Sequence, residues 1–187
     1  MNRPSGEGAA NILIINNGLT SEKFTQQPKK AIFLDRDGVI NRERGEYTWK
    51  IEDFEFNPGL AEALRELQSR GYKLIVITNQ GGVAKGLYDL EQLQQVHRYM
   101  VDALKSEDIH IADVYYCPHH PSVGNCLCRK PNSLMIERAL KQHDISTGSS
   151  YMIGDKDRDC EAAAGAGVNA ILITPNDNLG SYLNLIV

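Results

Sequence analysis

Three short apolar runs in this chain each end abruptly in polar residues: Ala31–Asp35 leads into Asp35-Arg36-Asp37, Tyr72–Thr78 into Thr78-Asn79, and Ser150–Gly154 into Gly154-Asp155. Apolar runs of this length, without alternation, mark parallel strands buried on both faces. The segments between them have helical periodicity. Residues 59–70 place Leu60, Leu64 and Leu67 on one face, with Gly71 as a stop. Residues 89–106 offer Asp89 as an N-cap and Leu93, Val96, Met100 and Leu104 as an inner face. Residues 132–143 and 157–166 are helical by pattern, and Val114–Tyr116 and Ala170–Ile173 supply two further strands. This alternation predicts an α/β fold, a doubly wound parallel sheet with helices on both faces. Ligands bind such sheets beyond the carboxyl ends of the strands, so the polar clusters are expected to converge on one crevice.

A chain of 187 residues suffices for one domain with its own core, and no insertion is long enough for a second. Residues 30–187 are read as a single domain. Residues 1–29 are polar and irregular, except for the Ile/Leu run within Asn11–Asn16, which suits an edge strand or an ordered tail. A net charge of −4 argues against nucleic acid or an anionic membrane as a partner. No apolar run nears the roughly 20 residues of a membrane-spanning helix, and Ile12–Ile15 is too short for a secretory core. A cytoplasmic monomer acting on a small molecule is expected.

Asp35 and Asp37, two carboxylates at i and i+2 just past a strand end, can both reach a ligand where the backbone turns. One can attack phosphorus while the other manages the leaving-group proton. A carboxylate meets a phosphate dianion only if a cation relieves the repulsion. Asp155 and Asp159 offer the oxygen ligands that magnesium prefers. Thr78 and Asn79 add neutral donors, and Arg129 and Lys130 cationic ones, for the equatorial oxygens of a transferring phosphoryl group. Each signal alone is ordinary: Asp-x-Asp is common in solvated loops, Thr-Asn in turns, and Asp155 would serve as an N-cap. Their order along the chain, each at a strand end or helix start, points to phosphoryl transfer. No Gly-x-x-x-x-Gly-Lys-Ser/Thr loop is present, which argues against a kinase or nucleotide hydrolase.

Cys117, Cys126 and Cys128 fall close together with His119 and His120. Three thiolates and an imidazole suit a tetrahedral, structural zinc (Zn2+) better than a disulfide framework in a reducing cytosol. Either histidine is a candidate ligand by spacing. The loop runs directly into Arg129-Lys130, so a metal there would pin two cations that the site needs. Cys160, inside a helical segment, reads as a packed small residue.

The stretches AIFLDRDGVIN, VITNQGGVAKG, CRKP and MIGDKDRD together resemble the four motifs of the haloacid-dehalogenase-like phosphohydrolases, over roughly residues 30–175. The resemblance implies a Rossmann-like sheet, Asp35 as nucleophile and Asp37 as general acid/base. It implies Thr78 and Lys130 as supports of the phosphoryl group, and Asp35, the Asp37 carbonyl and Asp155 as ligands of Mg2+. The segment between the first two motifs is too short for a large cap domain, so loops should select the substrate. The Cys-Pro-His…Cys-x-Cys-Arg-Lys-Pro block is similar to that of two capless subgroups, heptose bisphosphate phosphatases and histidinol-phosphate phosphatases. Its Cys-Pro-His pattern favours His119 as the zinc ligand.

Gly81-Gly82-Val83-Ala84-Lys85-Gly86 resembles the Ser-Gly-Ile-Ala-Arg-Gly of the heptose subgroup, and Gly154-Asp155-Lys156 matches it too. This implies removal of the 7-phosphate of D-glycero-D-manno-heptose 1,7-bisphosphate through an aspartyl-phosphate, in bacterial heptose-nucleotide synthesis. The six residues between His119 and Cys126 are nearer the histidinol type. Histidinol-phosphate phosphatase is therefore the alternative, and a catalytically dead zinc-binding module a remote one. On the heptose reading the expected substrate contacts are Glu43, Arg44, Gly45, Glu46, Asn79, Gln80, Gly81, Arg129 and Lys156, with Arg129 holding the distal phosphate.

Overall fold

Strand β1 (Lys30–Leu34) sends Ile32 and Leu34 to one side of the sheet and Ala31 and Phe33 to the other, all fully buried. The computed structural model describes residues 29–187, so the expectation for the N-terminal segment lies, apart from Lys29, outside the described residues. β2 (Tyr72–Asn79), β3 (Ile111–Cys117), β4 (Tyr151–Gly154) and β5 (Asn169–Leu172) join β1 in a parallel sheet of order β3-β2-β1-β4-β5. After β3 the chain crosses to the far side of β1, which puts the topological switch between β1 and β4.

Helices α1 (Leu60–Ser69) and α2 (Leu90–Ser106) cover one face, where Leu64, Leu67, Val96 and Met100 pack against Ile32, Leu74 and Val76. Helices α3 (Leu134–His143) and α4 (Asp157–Gly165) cover the other, where Met135, Ile136 and Ala162 pack against Phe33, Ile75 and Ile77. The doubly wound expectation is met, with the anticipated apolar faces of α1 and α2 turned inward. α2 begins where its N-cap was read. Asp89 Oδ1 accepts from the Gln92 backbone N–H at 2.8 Å, and Gln92 Oε1 accepts from the Asp89 N–H at 2.9 Å.

Some boundaries moved. β3 starts three residues earlier than the sequence suggested, because a register shift against β2 at Leu74/Ile75 lets Ile111 pair with Leu74. α3 starts two residues later, after the turn that carries Lys130 and Pro131. The 3₁₀ helix Leu179–Leu185 was not anticipated; it buries Leu179 and Leu183 against the α1 side of the core. Between β1 and α1 the chain forms only loops and one 3₁₀ turn, Ile51–Asp53, so no large cap domain stands there. Among the described residues no helix is long and apolar enough to cross a membrane.

Asp89→Ala removes the side-chain acceptor of the α2 capping box, leaving the residue-89 backbone N–H to Gln92, and is expected to lower stability by about 1 kcal/mol. Urea unfolding should show a lower midpoint at unchanged slope; an unchanged midpoint would mean that the box contributes nothing.

Candidate active site

β1 and β4 are adjacent, so their ends bring Asp35 and Asp155 together. The Asp35 N–H continues the ladder, donating to the Ile153 carbonyl at 2.9 Å. The chain then turns through Gly38 at φ +90°, where a Cβ would lie 2.5 Å from Asp155 Oδ2. Only glycine permits both the backbone angle and that approach.

Lys130 holds this group together. Its side chain is 0% exposed, and its ammonium reaches Asp35 Oδ1 at 2.9 Å, Asp159 Oδ1 at 2.7 Å and the Ile77 carbonyl at 2.6 Å. Asn79 fixes the lysine backbone from both sides: the Lys130 N–H donates to Asn79 Oδ1, and Asn79 Nδ2 donates to the Lys130 carbonyl, each at 3.0 Å. Burial, with help from Asp159 and Asp37, raises the Asp35 carboxyl to about 6, and Lys130 only partly offsets this.

Asp37 faces the opposite environment. Arg36, fully buried, gives it Nη2 contacts at 2.8 and 3.0 Å, Asn41 Nδ2 donates at 3.0 Å and Gln80 Nε2 at 2.9 Å. Burial pushes its carboxyl up, but the Arg36 charge and these hydrogen bonds outweigh that and hold it below the usual carboxylate range. Arg36 Nη1 also lies 3.3 Å from His97 Nε2. A guanidinium can only donate, so that nitrogen accepts and the proton of the ring is on Nδ1. Burial, and then the Arg36 charge, lower His97 to about 3.

Two clusters have the donors for a metal. One oxygen each from Asp35, Asp155 and Asp159 lie within 4.8 Å of one another, and buried Asp155 Oδ1 has no hydrogen-bond partner. Hard carboxylate oxygens with one left unsatisfied fit magnesium. Cys117, His119, Cys126 and Cys128 form the second cluster. Its near pairs are 3.2–3.6 Å apart, against about 3.7 Å between ligands in a tetrahedron with Zn–S of ~2.3 Å. His120 turns instead to Ser122 Oγ at 2.7 Å, so the geometry selects His119 from the two histidines.

Asp35, Asp37 and Thr78 line a cleft of about 550 Å³. Glu43, Gly45, Glu46, Asn79, Arg129 and Lys156 line it as well, as the sequence suggested. Three expected contacts do not. Arg44 turns away to pair with Asp53 at 2.9 Å. Gln80 is 1% exposed and spends its amide inside the protein. Gly81 lies beneath Arg129, whose Nη1 would be 3.2 Å from a Cβ there. Arg129 itself is not wholly free, since Nη1 donates to the His119 carbonyl at 3.0 Å. Lys156 meets Asp155 Oδ2 at 2.8 Å.

A HAD-hydrolase-like family model matches residues 127–179. The chain is 44% identical over 149 residues to the D-glycero-beta-D-manno-heptose-1,7-bisphosphate 7-phosphatase of Helicobacter pylori, covering 79% of this chain and 84% of that one. It is 41% identical over 145 residues to a D-glycero-alpha-D-manno-heptose-1,7-bisphosphate 7-phosphatase of Photorhabdus laumondii, covering 74% and 79%. A crystal structure of the D,D-heptose 1,7-bisphosphate phosphatase of B. bronchiseptica, complexed with magnesium and phosphate, matches with a TM-score of 0.74 at 32% identity, over 83% of this chain and 86% of that one.

The chain belongs to this family of haloacid-dehalogenase-like phosphatases. For a haloacid-dehalogenase-like phosphatase without a large cap, the cleft walls come from loops, and three wall residues were not singled out in the sequence: Tyr47, Lys85 and Arg158. Lys85 lies in the glycine-rich stretch already noted, which was the signal available for it. Arg36 was missed because an arginine between two aspartates reads as a solvated charge, yet it is the principal grip on Asp37.

His97 makes a pH prediction. Its folded value of about 3 lies below the ordinary 6.5, so the unfolded chain takes up a proton that the fold refuses. Stability should therefore fall as pH drops below 6.5, by about 1.4 kcal/mol per unit from this group. His97→Gln should flatten the slope of unfolding free energy between pH 6 and 4.5. Equal slopes for variant and wild type would refute the buried, neutral imidazole.

Proposed function

We propose that residues 30–187 act as a single phosphatase domain that removes the 7-phosphate of D-glycero-D-manno-heptose 1,7-bisphosphate, with Asp35 as nucleophile. The observation that carries this reading is the buried Asp35–Lys130 contact beside the unsatisfied oxygen of Asp155, at the floor of an open cleft. A carboxylate is thereby fixed next to a place for a divalent cation. Arg129 and Lys85 on the cleft wall support a substrate with a second phosphate, as do the names of the relatives.

Asp35 attacks phosphorus, the bond to the sugar oxygen breaks, and Asp37 gives that oxygen its proton. A water that surrenders its proton to Asp37 then attacks the aspartyl-phosphate, releasing inorganic phosphate and restoring Asp35. Thr78 and Lys130 donate to the equatorial oxygens throughout. Magnesium, held by Asp35, Asp155 and the Asp37 carbonyl, would neutralise phosphate charge when bound. Cys117, His119, Cys126 and Cys128 would hold a structural zinc that sets the loop bearing Arg129 and Lys130. The clustered, unpaired cysteines suit a reducing cytoplasm, where a monomer acting on a small sugar phosphate is the expected form.

Asp35→Asn should abolish turnover in a folded protein; activity within about tenfold of wild type would end the covalent mechanism. Asp37→Asn should lose ~10²–10⁴-fold on an alkyl phosphate and much less on an activated aryl phosphate, which needs no protonation to leave.

For the metals, Cys126→Ser is expected to lower zinc content and melting temperature together. Elemental analysis of protein purified without added metal checks it, and a stable, active, zinc-free enzyme would refute the site.

Histidinol phosphate is the competing substrate, favoured by Glu43 and Glu46, which would suit a cationic amine. The deciding measurement is kcat/KM for both anomers of heptose 1,7-bisphosphate against histidinol phosphate, with Arg129→Ala alongside. Arg129→Ala should penalise the bisphosphates more than a monophosphate. A preference for histidinol phosphate, or equal penalties, would overturn the heptose assignment.

A further inference from the structure

Gln80 is 1% exposed and does not line the cleft. Its Nε2 donates to Asp37 Oδ2 and to Thr78 Oγ1, each at 2.9 Å, and its Oε1 accepts from the Tyr88 hydroxyl at 2.8 Å. We propose that Gln80 and Tyr88 are positioning residues that orient the Asp37 carboxylate and aim the Thr78 hydroxyl at the transferring phosphoryl group. The proposal rests on the phosphatase reading above.

The direction of each hydrogen bond follows from chemistry. An ionised carboxylate only accepts, so the amide nitrogen of Gln80 must face Asp37 and its oxygen must face Tyr88. Burial raises the Tyr88 phenol above its ordinary range, so it stays protonated and donates. A flipped amide would set oxygen against carboxylate. With the Gln80 N–H occupying a lone pair of Thr78 Oγ1, the threonine's own proton is left for an acceptor on its cleft side. Thr78 thus meets a phosphoryl oxygen already as a donor, with no reorientation at the moment of reaction.

The surroundings hold this relay still. The Gln80 N–H donates to the Cys117 carbonyl at 2.7 Å, tying the junction to the end of β3 and the Cys/His loop. The Tyr88 ring stacks on Trp49 (centroids 6.0 Å apart, planes 13° apart) and meets Tyr47 edge-on at 5.9 Å. It also lies over Gly82, where a Cβ would come 2.1 Å from Tyr88 Cε1, so any larger residue must push the ring and its hydroxyl away.

The test is steady-state hydrolysis of p-nitrophenyl phosphate with saturating magnesium, by wild type, Gln80→Leu, Tyr88→Phe and Gly82→Ala, each also in a Thr78→Val background. Gln80→Leu should lower kcat by about 30–100-fold, and Tyr88→Phe and Gly82→Ala by about 3–10-fold, with KM within about threefold. In the Thr78→Val background the same substitutions should cost less than half as much on a logarithmic scale, because p-nitrophenolate leaves without a proton from Asp37 and Thr78 then carries most of their effect on this substrate. Tyr88→Phe keeps the ring and its packing, so it carries the cycle even where Gln80→Leu fails to fold. Unchanged kcat in Tyr88→Phe, or factors that multiply in full with Thr78→Val, would overturn the proposal and leave a purely structural role. An aryl phosphate is indifferent to which sugar is the natural substrate. Failure of the wild type on heptose bisphosphate alone would therefore count against that assignment while these ratios remain readable.

Discussion

The buried ammonium of Lys130 is the contact on which the rest of the site depends. A lysine with no exposure is tolerated only when its charge is fully met, and here three acceptors meet it: Asp35 Oδ1, Asp159 Oδ1 and the Ile77 carbonyl. Those acceptors sit at the ends of β1, α4 and β2. One cation therefore ties together three elements that lie far apart in sequence. The lysine reaches them from the loop after β3, which explains the expense of that loop: Asn79 clamps its backbone, and Cys117, His119, Cys126 and Cys128 gather the chain just before it. The cysteine cluster and the reacting carboxylate are thus two ends of one mechanical argument.

Charge accounting shows why this arrangement calls for a divalent cation. Asp35, Asp155 and Asp159 bring three carboxylates to one place, and among the described residues Lys130 is the one fully buried cation that answers them. Lys156 meets Asp155, but its side chain is 40% exposed and solvent screens it. Burial, with the charges of Asp159 and Asp37 added to it, raises the Asp35 carboxyl to about 6 despite the lysine at 2.9 Å. A doubly charged ion among these oxygens would reverse that balance and return Asp35 to its ionised form. The same residues that look overcrowded with negative charge alone are well matched to a metal and a phosphate together.

Much of this was legible in the sequence, for a definite reason. Strands buried on both faces are written as apolar runs, and their ends are where a parallel sheet binds ligands, so Asp35, Thr78 and Asp155 could be placed on one edge without coordinates. The α2 cap was equally local, being a contact between residues 89 and 92. What stayed hidden was partnership across the fold. Asp159 read as a further metal oxygen, and its contact with Lys130 depends on how α4 leaves β4. Gln80 read as a substrate contact because it follows Thr78-Asn79, yet β2 ends so that its side chain turns inward toward Asp37. Tyr88 and His97 carried no signal at all, since their importance lies in what they touch: Gln80 in one case and Arg36 in the other.

Asp35 and Asp37 are two residues apart and live in opposite surroundings, which separates their chemistry. Asp35 is pushed toward the neutral acid by burial and then by its carboxylate neighbours, so in the proposed reaction its nucleophilic form would depend on a cation beside it. Asp37 is held ionised by Arg36, Asn41 and Gln80. In the proposed reaction that is the right resting state for taking a proton from water in the second half. To donate a proton in the first half it must gain one, and a phosphate dianion in the cleft supplies the reason. Its negative charge opposes the ionised carboxylate and competes for the positive field of Arg36, which raises the proton affinity of Asp37 when a leaving oxygen needs it. Once the sugar has left with that proton, Asp37 returns to the ionised state its neighbours favour. One fixed set of donors can therefore serve both steps, with the substrate's own charge switching the carboxylate between them.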